Sequence, residues 1–106
     1  MTARERLPDR RPSETFQLVA GGLAYTCSFS RYSDGRLAEV FLQNHKTNSA
    51  ADVNARDASI AFSIAVQSGA DAEVIRRALC RDSQGRPSGP LATALDQIAK
   101  DPTHGD

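Results

Sequence analysis

The sequence predicts an α+β domain of two layers, a three-stranded antiparallel sheet followed by three helices in the order β-β-β-α-α-α. Three observations predict it. Residues 23–30 alternate strictly, with Leu23, Tyr25, Cys27 and Phe29 set against Ala24, Thr26, Ser28 and Ser30, the period of a strand with one buried face. Two glycine turn signals, Gly21-Gly22 and Asp34-Gly35, bound this strand, and short turns between successive strands make an antiparallel meander. From residue 50 onward the pattern changes to alanine-rich helical spacing, and two further helical segments follow.

The first strand is expected over Thr15–Val19 and the second over Leu23–Ser30. Asp34-Gly35 is expected to form a primed two-residue turn, because glycine accepts positive φ. The third strand, Arg36–Leu42, is rich in residues that suit a pleated surface, and Gln43–Ser49 reads as a loop. Asn48 or Ser49 can cap a helix from about Ala50 to Ser68, with Gly69 as its left-handed C-cap. In that helix Val53, Ile60 and Ile64 share a stripe that Ala58, Ala61, Phe62 and Ala65 widen. The stripe is expected to face the core, so Ile64→Ala should cost ~2–5 kcal/mol. Arg56 and Asp57 then mark the solvent edge, where Asp52 can pair with Arg56 at i, i+4.

Asp71 caps a second helix, Ala72–Cys80, with Val74, Ile75, Ala78 and Leu79 on one apolar face. Arg81–Gly89 is a loop, and Pro90 suits the first turn of a third helix, Leu91–Lys100, with Leu91, Leu95 and Ile98 inward. Residues 1–13 read as an extended charged arm and residues 101–106 as a flexible tail around one domain, 14–100.

The chain has 106 residues, enough for one core. Thirteen basic and thirteen acidic side chains cancel, which removes a uniform basic field. With four Phe and two Tyr for stacking, nucleic acid is an unfavoured partner. No apolar run reaches the ~18 residues of a membrane span, and the N-terminus is charged where a signal peptide is apolar, so no membrane association and a cytoplasmic location are expected. Cys27 and Cys80 form no Cys-x-x-Cys pair and give no zinc signature. Cys27, alternating with Tyr25 and Phe29, reads as a buried small hydrophobe. Cys80 lies beside Arg81, whose charge can lower a thiol pKa.

Arg36, Glu39, His45, Lys46 and Arg86 are the candidates for contact with a partner or an anion. His45-Lys46 can meet an anionic group, although a solvated loop is the ordinary place for such a pair. Gly85-Arg86-Pro87-Ser88-Gly89, at the start of a helix, offers backbone N–H groups and Arg86 to an anion. Glu39 falls, by alternation, on the same side as Leu37 and Phe41, with Arg36, Arg31 and Lys46 as possible ion-pair partners. Leu37 and Phe41 are candidates for a dimer face, since three helices cover one side of the sheet and leave two strand edges, and a two-fold homodimer is expected. No catalytic residue is predicted: a general base needs an orienting partner and a pocket, and the phosphate-loop motifs are absent.

The run Tyr32–Lys46 also carries a family likeness. Its pieces Asp34-Gly35-Arg36, Glu39-Val40-Phe41 and His45-Lys46, with Leu7-Pro8-Asp9-Arg10-Arg11 upstream and Ile60-Ala61-Phe62-Ser63-Ile64-Ala65 downstream, make the chain resemble the small C-terminal TSCPD module of cobalamin-dependent (class II) ribonucleotide reductases. The likeness runs from about Leu7 to Ile98. It implies kinship with enzymes that reduce ribonucleotides by radical chemistry on cobalamin. In that family the catalytic cysteines and cofactor contacts belong to a large barrel, and neither it nor the Thr-Ser-Cys-Pro-Asp string is found here. The resemblance therefore implies the fold and an association with a reductase, with cobalamin as the family's cofactor and none expected on this chain. The expected role is a free-standing accessory domain that binds a protein partner, regulating or completing a reductase in trans. A phage or mobile-element inhibitor or adaptor of an unrelated machine, and a small nucleotide- or metal-binding domain, are the alternatives.

Overall fold

The computed structural model describes residues 4, 5 and 13–100. Strands β1 (Ser13–Ala20), β2 (Leu23–Arg31) and β3 (Leu37–Asn44) precede helices α1 (Ala50–Gln67), α2 (Ala72–Ala78) and α3 (Pro90–Ala99). The sheet is antiparallel in the order β1-β2-β3, which is the predicted α+β arrangement. The Leu7–Arg11 stretch lies outside the described residues.

The primed turn sits one connection earlier than expected. Gly21 and Gly22 have φ of 59° and 78° between the paired residues Ala20 and Leu23, as a two-residue turn with two positive φ angles requires. The Asp34-Gly35 connection is a three-residue loop instead. The Gly35 N–H donates to the Tyr32 carbonyl, the Tyr32 N–H donates to the Arg36 carbonyl, and Gly35 alone takes positive φ, 95°.

Beyond that loop the pairing slips. Ser30 faces Glu39, but Arg31 faces Leu37, so β3 carries one extra residue at this point. A bulge of this kind turns the following side chains relative to strict alternation. Leu37 consequently packs against the core, while Phe41 is exposed on the opposite face. The expectation that Leu37 and Phe41 share a bare face is corrected by this slip. At its other end β3 runs through Gln43 and Asn44, two residues assigned to a loop from sequence, because Asn44 still pairs with Tyr25.

The core lies between the inner sheet face (Leu18, Tyr25, Cys27, Phe29, Val40 and Leu42) and the residues Ala55, Phe62, Val66, Leu91, Leu95 and Ile98 of α1 and α3. Phe16 meets Phe29 edge-on at 6.0 Å, a favoured aromatic geometry. Leu91, Leu95 and Ile98 are buried as predicted, with Pro90 opening α3.

Helix α1 is oriented contrary to its apolar stripe. Val53, Ile60 and Ile64 are 43%, 46% and 43% exposed, and the buried row is Asp52, Ala55, Ser59, Phe62, Ser63, Val66 and Gln67. Ser49 caps the helix by accepting from the Asp52 N–H, and Gly69 follows its end at φ 108°. Helix α2 ends two residues short of expectation. Leu79 turns extended and the chain enters a small hairpin in which Arg81 bridges to Pro87. Val74, placed inward by the sequence reading, is 57% exposed, while Ile75 and Leu79 pack on the core.

Candidate functional site

The inward polar row of α1 has a specific partner, the outer edge of β3. The Asn44 N–H donates to Asp52 Oδ1 at 2.9 Å and the Leu42 N–H to Ser59 Oγ at 3.2 Å. Ser63 Oγ accepts from the Val40 N–H at 3.0 Å and donates to the Val40 carbonyl at 2.9 Å, and Gln67 Nε2 donates to the Ala38 carbonyl at 2.9 Å. Residues 38, 40, 42 and 44 are those whose backbone groups point away from β2, so the helix stands where a fourth strand would pair. Buried backbone donors and acceptors must be satisfied, and here side chains satisfy them. Asp52 also accepts from the Asn48 N–H and approaches Arg56 at 3.6 Å. The Asn48 N–H first, then the Asn44 N–H and the Arg56 charge, hold its carboxyl below the usual carboxylate range. The predicted Asp52–Arg56 pair exists, but Asp52 is buried rather than at the solvent edge. The sequence held a signal for this row, since polar residues at 52, 59, 63 and 67 fall on one helical face.

With that row inward, α1 presents Val53, Ile60 and Ile64 to solvent, with Asp57 between them at helical spacing.

A cavity of about 520 Å³ opens beside the C-terminal end of α1. Leu37, Val66, Leu95 and Ile98 line it with apolar surface, and Arg31, Arg36, Arg76, Asp71 and Glu73 bring charge to it. Arg36 pairs with Asp34 at 2.7 Å and with Glu5 at 3.1 Å, and stacks over the Tyr32 ring at 4.6 Å. Glu5 and Arg4 both reach Gln67, which ties this part of the N-terminal segment to the end of α1. Among the described residues, no Ser, Cys or His lines the cavity.

The arginines of the second half of the chain are bound up internally. Arg81 grips Asp96 through two N–H donors at 2.8 Å, Arg76 meets Asp96 at 3.0 Å, and Arg76 also pairs with Glu73 at 2.8 Å. Arg81, and then Arg76, lower the Asp96 carboxyl to about 2. This set pins α2 and the hairpin to α3. Arg86 is exposed and pairs with Asp82 at 3.2 Å. Asp82 Oδ1 also accepts from the Gln84 and Arg86 N–H groups, so those backbone donors point into the loop itself.

His45 and Lys46 lie just past β3. His45 Nε2 contacts Gln17 Oε1 at 2.9 Å and Thr26 Oγ1 at 3.2 Å, which places the ring on the outer sheet face. Lys46 is exposed and its N–H donates to Asn44 Oδ1. Glu39 is half-buried opposite Ser30. Arg36, Glu39, His45, Lys46 and Arg86 therefore do not converge on one centre. Burial pushes the Cys27 thiol up to about 12, whereas Cys80 is exposed. Among the described residues no group of three or more His, Cys, Asp or Glu is placed to hold a metal ion. None of the described helices is long and apolar enough to cross a membrane.

No protein-family model matches the chain, and no solved structure matches it. Among curated proteins it is similar to the vitamin B12-dependent ribonucleotide reductase of Bradyrhizobium diazoefficiens, with 38% identity over 69 residues, 65% of this chain and 6% of that one. The enzyme of the same description from Agrobacterium fabrum is 33% identical over 70 residues, 66% of this chain and 6% of that one. The chain carries a segment related to ribonucleotide reductases. It spans about 6% of the length of the curated relatives it matches, so most of each relative has no counterpart here.

Proposed function

We propose that this chain corresponds to the small C-terminal, TSCPD-type module of the B12-dependent ribonucleotide reductases and works as an accessory domain. On this reading it docks in trans on a reductase catalytic chain and completes or regulates it. The observation that carries the reading is the outward face of α1, where Val53, Ile60 and Ile64 stand 43–46% exposed on a helix that buries the polar residues Asp52, Ser59, Ser63 and Gln67. The relatives support the identity of the partner, because in them the related stretch is a small part of a much longer reductase. Asp57, in the middle of the stripe, favours a partner segment that is apolar and carries a Lys or Arg.

Binding to the purified B12-dependent reductase of the same host, measured by surface plasmon resonance, tests the proposal. Micromolar or tighter binding is expected, with loss on Ile60→Glu/Ile64→Glu and an unchanged unfolding midpoint. Equal binding by the double variant, or none by the parent, overturns it. A second reading, a site for an anionic small molecule, is favoured by the arginine-edged cavity. Thermal shifts with nucleotides test it, and Leu37→Trp, which fills the cavity, should abolish any shift.

A further inference from the structure

The two edges of the sheet differ. The β3 edge is occupied by the side chains of α1, as described. On β1, the two-residue Gly21-Gly22 turn makes Ala20 and Leu23 a hydrogen-bonded pair, so Leu18, Phe16 and Glu14 also point their backbone groups at β2. Ser13, Thr15, Gln17 and Val19 point theirs outward. The same parity, carried through β2, leaves residues 38, 40, 42 and 44 of β3 outward, which is where the α1 bonds are found. Among the described residues, no backbone hydrogen bond reaches the outer edge of β1.

We propose that β1 is a pairing edge and that its occupant is β1 of a second copy of this chain, joined antiparallel about a two-fold axis. The strand lacks the usual protections of a free edge: over Ser13–Ala20 it has no proline, no lysine and one charge, Glu14. Four outward residues at every second position form an array that pairs with itself under a two-fold operation. With the axis at Phe16 or at Gln17, Glu14 falls opposite Leu18 or Ala20, never opposite its own copy. Thirteen basic and thirteen acidic residues leave no net charge to oppose the approach. Val19, 66% exposed, gains cover from the added strand.

Gel filtration with light scattering on the full chain tests this from micromolar concentration upward. A dimer mass is expected. Thr15→Pro removes an outward N–H without breaking a bond to β2, and Val19→Lys places a charge at the edge. Each should give a monomer with an unchanged circular dichroism spectrum, whereas Phe41→Glu on the sheet face should leave the dimer intact. If Thr15→Pro fails to fold, Val19→Lys alone decides. A parent that stays monomeric on concentration overturns the proposal, as does a dimer that survives Val19→Lys.

Discussion

The Ser63 hydroxyl donates to the Val40 carbonyl and accepts from the Val40 N–H, so one side chain closes both backbone groups of a residue that is 1% exposed. A strand neighbour would supply two peptide groups for this purpose. Here an α-helix supplies a single hydroxyl, and Ser59, Asp52 and Gln67 each satisfy one further backbone group along β3.

Removing that hydroxyl should therefore be expensive. Ser63→Ala is expected to destabilise the domain by about 1–3 kcal/mol, the range for leaving buried polar groups unsatisfied. Urea denaturation measures it. A loss below ~0.5 kcal/mol would mean that water or a backbone shift replaces the bond.

The two faces of α1 should respond oppositely to truncation. Phe62→Ala, at a 3% exposed position, should cost ~3–5 kcal/mol. Ile64→Ala, at 43% exposure, should cost less than ~1 kcal/mol. Equal losses would place Ile64 in the core after all.

Acid should release the hairpin from α3. The Asp96 carboxyl is lowered from 3.8 to about 2 by Arg81 and Arg76. A depressed carboxylate contributes stability that is complete above its unfolded pKa and is lost as pH falls through the folded one. The loss belongs to the window from about pH 4 to about pH 2. Asp96→Asn should be less stable than the parent at neutral pH and show a shallower decline across that window, read by thermal midpoints at each pH.

Thiol labelling should separate the two cysteines. A disulfide reagent at neutral pH should titrate Cys80 at once and Cys27 only on unfolding, since Cys27 is fully buried and burial raises its pKa to about 12. Two fast equivalents in the native protein would contradict the packing of β2.

Element order was legible in the sequence because strand alternation, turn glycines and caps are local signals. Two misreadings had physical causes. Alternation placed Leu37 beside Phe41, and one inserted residue in the β3 register, invisible in the sequence, moved Leu37 to the core. Apolarity placed Ile60 and Ile64 inward on the assumption that a helix packs against side chains. Helix α1 packs its polar row against a strand edge, which demands hydrogen-bonding groups.

The helix along β3 also sets an upper limit on growth. A sheet with two open edges adds copies without end, as fibrils do, and a chain that lays its own helix over one edge is a terminator. Once β1 is taken, a pair of such chains carries α1 along both remaining edges and offers no strand edge to a third. Association through strand edges should stop at two at any concentration. Variants that strip the helix of its hydroxyls would convert a self-limiting pair into a polymer.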